Sequence, residues 1–141
     1  MHDTAINSST RYYTPAHVLL GSLLGGPIAG GYLVSRNHAL FGAPRRALIA
    51  LLVSGVVLLG VFALGLLAPQ ASRILPPIII AILYRSYAEH KFSQPIARSL
   101  EQGWMPYSWW RVVGITIVLF LSSIILLFLL LLVLPDRWVP T

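Results

Sequence analysis

ALIALLVSGVVLLGVFALGLL, residues 47–67, runs for 21 residues without a charge. At about 1.5 Å per residue a helix of that length is roughly 31 Å long, the thickness of a bilayer's hydrocarbon core. Residues 112–134, VVGITIVLFLSSIILLFLLLLVL, repeat the pattern over 23 uncharged residues. In lipid the backbone must satisfy its own hydrogen bonds, so both runs read as membrane-spanning helices. Two weaker runs flank the first. Residues 17–34, HVLLGSLLGGPIAGGYLV, are long enough to cross but rich in glycine. From residue 74 only eleven residues are free of charge before Arg85. With Pro76 and Pro77 in a first turn, where missing amides cost little, a helix to about residue 92 can cross if Arg85 snorkels to the interface.

The expected fold is therefore all-α, a polytopic membrane protein forming a single membrane domain over residues 1–141. Its four transmembrane helices fall near residues 17–34, 47–67, 74–92 and 112–134. A short amphipathic cytoplasmic segment is expected between spans three and four, because Tyr84, Ala88, Phe92, Ile96, Leu100 and Trp104 recur every four residues with charges between them. Pro95 should interrupt that segment and start a second short helix, which Gly103 should end.

Composition bounds what such a chain can do. Of 141 residues 57% are hydrophobic and 10% charged, where a soluble domain carries about 25% charged residues; a multi-domain soluble enzyme is excluded. Ten Lys and Arg against four acids give a formal charge of +6. The basic residues sit at the ends of apolar runs, with no basic stripe interleaved with stacking aromatics, which argues against a nucleic-acid partner and for membrane lipids. Arg36, Arg45, Arg46, Lys91, Arg98 and Arg111 read as headgroup contacts.

Seven of the ten basic residues fall in 35–46 and 85–111, which the positive-inside rule assigns to the cytoplasm. The N-terminal arm, the 68–73 turn and the C-terminal tail carry one each (Arg11, Arg73, Arg137), so both termini are expected outside. Trp104, Tyr107, Trp109 and Trp110 before the last run, and Trp138 after it, fit aromatic belts, and Ser108 fits the N-cap. The first sixteen residues lack the basic and apolar regions of a cleaved signal and are expected to stay on the protein. With no cysteine, disulfides, thiolate metal sites and cysteine lipidation are excluded.

Few residues offer chemistry. Gly21, Gly25 and Ala29 recur every four residues beside Ser22, Gly26 and Gly30, a surface that lets another helix approach closely. Packing within the chain and packing against a partner both remain open. Pro27 removes a backbone bond and clashes with the carbonyl of Leu23, so a kink or break is expected there. Arg85, Glu89 and His90 form the only dense polar cluster in a predicted helix, a candidate cytoplasmic acid-base group or simply a solvated helix end. His2, His17, His38 and His90 lack ligand spacing, so no metal and no cofactor is expected. Runs one, two and four hold no embedded charge, which argues against an ion-coupled transporter.

GGPIAGGYLVSRNHALFG (residues 25–42), then His90, then GWMPYSWWRVVG (residues 103–114) resembles a group of small bacterial membrane proteins. In these a Gly-Pro-x-Ala first helix is followed by an asparagine and a glycine, and later by a histidine, a glycine pair and Ser-Trp. The matching positions are Gly26, Pro27, Ala29, Asn37, Gly42, His90, Gly103, Ser108 and Trp109; Trp104 stands where the second glycine belongs. The resemblance implies a bacterial inner (plasma) membrane location and supplies no activity, ligand or partner.

These readings favour a non-enzymatic membrane protein that binds another membrane component, a partner protein or a second copy, in an accessory, regulatory or immunity-type role. The alternatives are an oligomeric channel or transporter built on the Gly/Pro-rich first helix, and an interfacial enzyme acting on lipid through Glu89 and His90.

Overall fold

The computed structural model describes residues 10–67 and 75–133. Its elements run β1 (Arg11–Tyr12), α1 (Pro15–Leu40), α2 (Pro44–Leu67), α3 (Leu75–Glu101), β2 (Met105–Pro106) and α4 (Trp109–Val133). The fold is all-α with four helices, of which α1, α2 and α4 are long and apolar enough to cross a membrane by length and composition. Such a chain is a multi-pass membrane protein in outline. Arg73, Arg137, Trp138 and the first nine residues lie outside the described residues.

α1 is two arms rather than one rod. Thr14 caps it: its hydroxyl accepts from the His17 amide at 3.2 Å, and His17 Nδ1 accepts from the Thr14 amide at 3.2 Å, a reciprocal capping box. The helix then breaks at Gly26, with φ 69° and ψ −164°, a conformation open essentially to glycine alone. Pro27 follows, preset for the first position of a new helix. Beyond it the chain runs back beside itself. The Tyr13 amide donates to Asn37 Oδ1 at 3.0 Å, and Asn37 Nδ2 donates to the Tyr13 carbonyl at 2.7 Å; a straight helix would set these residues about 36 Å apart. A Cβ on Gly30 would collide with Ser22, and one on Gly21 would lie 2.5 Å from Leu33. The continuous span expected over residues 17–34 is thus a hairpin of arms 15–25 and 27–40. A proline by itself only bends a helix; the reversal needs the positive φ of Gly26, and small residues then let the arms meet.

This hairpin is the hub of the fold. α2, α3 and α4 pack chiefly against α1 and only marginally against one another. The core joins Val18, Leu33 and Val34 of α1 to Ala88 and Phe92 of α3, Val112 of α4, and Tyr13. On the outer helices the buried positions end at Leu58 on α2, Ala81 on α3 and Ser123 on α4. Arms of 11 to 14 residues reach only about 16 to 21 Å, so the last turns of α2 and α4 run past the hairpin tip, where no described residue covers them.

Two further expectations change. α3 is continuous through Pro95, where a second helix was expected to begin. The carbonyl deprived of its donor there is that of Lys91, an exposed residue, so water can satisfy it. Ala88, Phe92 and Ser99 are buried, so this stretch packs within the fold instead of lying on a membrane surface. Gly103, at φ 79°, ends the helix as expected: the Trp104 amide returns to the Ser99 carbonyl and the Gly103 amide to Leu100, a Schellman motif. Gly42, at φ 77°, ends α1 the same way, with Ala43 bonded to His38 and Gly42 to Ala39.

The second change concerns sidedness. β1 pairs in parallel with β2, Arg11 opposite Met105 and Tyr12 opposite Pro106, and the Tyr107 amide donates to the Tyr12 carbonyl at 3.0 Å. The N-terminal arm and the 85–111 connection, expected on opposite sides of the membrane, are hydrogen-bonded to each other. Ser108 caps α4 through its hydroxyl, 3.4 Å from the Arg111 amide.

Because the chain has no native cysteine, the hairpin is open to a direct test. Ser22→Cys with Gly30→Cys should form an intramolecular disulfide under mild oxidation, since a Cβ on Gly30 would lie 3.1 Å from that of Ser22. In a straight helix the two sites are about 12 Å apart and cannot be bridged. Asn37→Leu, which strands the buried amide and carbonyl of Tyr13, should lower unfolding stability by about 2 to 5 kcal/mol, read by tryptophan fluorescence in detergent.

Candidate functional site

Close contacts set each outer helix against the hairpin. A Cβ on Gly31 would overlap both Cβ and Oγ of Ser54 on α2, and one on Gly25 would lie 2.7 Å from Thr116 Cγ2 on α4. Gly21, Ser22, Gly25, Ala29 and Gly30, the small residues singled out by spacing, are all buried inside this packing; Gly26 forms the turn, with open space where a Cβ would stand. Gly31 was not in the spacing pattern, although its pairing with Gly30 in the sequence is a visible signal.

Where α2 and α3 flank the second arm, a lateral groove of about 360 Å³ opens, at the lower end of ligand-pocket sizes. Val34 forms its floor, Ile49, Ala50, Val53 and Val57 its α2 wall, and Ile80, Leu83, Tyr84 and Tyr87 its α3 wall. Each wall is a stripe at helical spacing. Ile49, Val53 and Leu83 are more than half exposed, so the groove opens sideways.

Its polar groups are engaged. Ser54 Oγ donates to the Ala50 carbonyl at 2.7 Å, which uses its single proton, so the Tyr84 hydroxyl 2.6 Å away must donate to Ser54. The Tyr87 hydroxyl is 2.9 Å from His38 Nε2. The His38 ring meets Phe92 edge-on at 4.9 Å, and Phe41 joins Phe92 to Trp104, its ring nearly parallel to the indole at 6.1 Å. Tyr84, Tyr87, Ser54, His38 and Asn37 were not anticipated as a group. The signal was present in the tyrosines at i and i+3 on α3 and in a lone asparagine beside an apolar run.

Two cations sit at one end of the groove. Arg46 lies one turn before Ile49 and Ala50 on the α2 stripe, and Lys91 one turn beyond Tyr87 on the α3 stripe. α2 leaves and α3 returns to the same end, and the charges of both residues reach His38. Among the described residues the one ion pair is Arg85 with Glu89, 2.7 Å apart and half exposed.

That pair, with His90 exposed beside it, lies on the exposed surface of α3 and is not part of the groove lining. Arg36, Arg45, Arg98 and Arg111 are exposed as well. The Arg111 guanidinium lies 4.5 Å from the centre of the Tyr107 ring, a cation-π contact. Burial raises the Tyr13 hydroxyl above its usual titration range, partly offset by Arg111. His17 is buried and meets Trp109 edge-on at 4.3 Å. Among the described residues no group of three or more potential ligands could hold a metal ion. Comparison with protein-family models, curated proteins and solved structures returns no match.

The contact between Gly31 and Ser54 generates a coupled prediction. Gly31→Ala should destabilise the protein by about 1 to 3 kcal/mol through overpacking. Combining it with Ser54→Gly, which removes both colliding atoms, should recover most of that loss; a double variant whose loss is merely additive would show that the two residues do not touch.

Proposed function

We propose that this chain is a small non-enzymatic membrane protein that acts by binding another membrane component. The observation that carries the reading is the lateral groove: it is apolar, it opens sideways between α2 and α3, and its phenolic groups are spent on internal hydrogen bonds. Arg85, Glu89 and His90, the residues an interfacial enzyme would use, stand away from it. Retention of a lipid or protein component by the full chain in mild detergent, lost when Val53→Trp fills the groove, is the expected result by native mass spectrometry. A bare protein under every extraction condition would count against the reading.

The membrane arrangement we infer has α2, α3 and α4 crossing and α1 re-entrant. Its arms, about 16 and 21 Å long, are shorter than the roughly 30 Å core, and their outer ends meet through Tyr13 and Asn37. Eight of the ten basic residues, now including Arg11, then gather on one side, which the positive-inside rule makes cytoplasmic. The N-terminal arm moves inside accordingly, and the bacterial inner membrane follows from the resemblance quoted above. Impermeant maleimide should reach Arg11→Cys, Arg45→Cys and Gln102→Cys from the same membrane face. Labelling of Arg11→Cys from the opposite face to Gln102→Cys would restore four full spans.

One observation favours a second reading, an oligomeric channel. The hairpin turns at mid-depth, where discontinuous helices build ion and substrate sites in transporters. Proteoliposomes of the purified protein should then conduct or take up solute, and Pro27→Leu should abolish the activity; impermeable vesicles would remove this alternative.

A further inference from the structure

We propose that the groove between α2 and α3 holds one acyl chain of an anionic phospholipid, with the phosphate between Arg46 and Lys91. The proposal rests on the reading of this chain as a binder of a membrane component and names that component.

Depth selects the occupant. Arg46 to Val57 is eleven residues, about 16 Å along the helix, or half of a roughly 30 Å hydrocarbon core. The floor, Val34, belongs to a hairpin arm that goes no deeper than its turn at Gly26. A groove one leaflet deep fits a lipid tail; a transmembrane helix of a partner would need a seam running the whole thickness. The lining agrees, being aliphatic at Ile49, Val53, Val57, Ile80 and Leu83.

Charge selects the headgroup. Arg46 and Lys91 continue the two wall stripes to the same end of the groove, both exposed and neither in an ion pair among the described residues. Tyr87, held by His38, lies between the apolar slot and this pair. A phosphate carrying a net negative headgroup meets both cations there, whereas a zwitterionic headgroup presents its own ammonium to them. Each cation near the membrane surface favours an anionic lipid by about fivefold.

The test reconstitutes the full chain in nanodiscs of dioleoylphosphatidylcholine and dioleoylphosphatidylglycerol at three to one, and counts retained lipids by native mass spectrometry. One phosphatidylglycerol should stay bound in preference to phosphatidylcholine. Arg46→Gln and Lys91→Gln should each cut that preference about fivefold, and the pair should bring it near unity, while Arg11→Gln, exposed on β1 and outside both wall stripes, leaves it unchanged. Val53→Trp should release the lipid whatever its headgroup; Ile80→Trp, on the opposite wall, checks that the loss comes from filling the groove. Equal retention of both lipids, or a preference untouched by the double neutralisation, overturns this proposal and leaves the broader binding reading in place. Protein that retains no lipid and no other component overturns both.

Discussion

A helix that turns back at Gly26 and is clamped shut by Asn37 on Tyr13 is the constraint on which everything else in this molecule depends. The clamp closes both backbone hydrogen-bonding groups of one residue, Tyr13, with one side-chain amide, and it is buried. Once it forms, α1 presents two short arms to its neighbours, giving three long helices a common surface. α2 meets it at Gly31, α3 at Gly30 through Tyr84, and α4 at Gly25 through Thr116. Without the reversal those helices have little to hold them, since they barely touch one another. Membrane helices associate through close packing more than through water exclusion, so the glycines and serines of the hairpin do here what large apolar side chains do in a soluble core.

The same constraint divides the molecule by depth. At the clamped end the aromatics are dense: Tyr13 lies on Tyr107 at 4.5 Å, His17 against Trp109, Phe41 over Trp104. The two-residue pairing of β1 with β2 ties the N-terminal arm into the same layer. At the other end the buried positions run out at the level of the turn. Among the described residues burial is concentrated in the clamped half of the bundle and thins along the outer halves of α2 and α4.

Much of this was legible in residues alone. The uncharged runs at 47–67 and 112–134 became α2 and α4 with ends shifted by a few residues, and Ser108 and Gly103 stand at the helix ends that their chemistry favours. The reversal was not legible because hydropathy measures the length of an apolar run and is blind to its direction. GGP is compatible with a kinked span and with a turn, and only Asn37 meeting Tyr13 across 24 residues decides between them. The pairing of the N-terminal arm with the 85–111 connection was hidden for a related reason: one arginine, Arg11, is little charge to place an arm by, and the two residues of β1 give no periodicity to read. Pro95 misled because a proline breaks a helix only where the freed carbonyl has no other partner, and beside Lys91 water supplies one.

What the groove can do follows from which of its groups remain unengaged. Tyr84 spends its proton on Ser54, Ser54 spends its own on Ala50, and Tyr87 is held by His38. Arg85 and Glu89 neutralise each other on the surface. Arg46 and Lys91 are different, since both point charges stand at the end of an apolar slot with no acid paired to them among the described residues. The charge left uncompensated beside this groove is therefore a pair of cations at the end of an apolar slot about 16 Å long, the rise of the eleven helical residues from Arg46 to Val57.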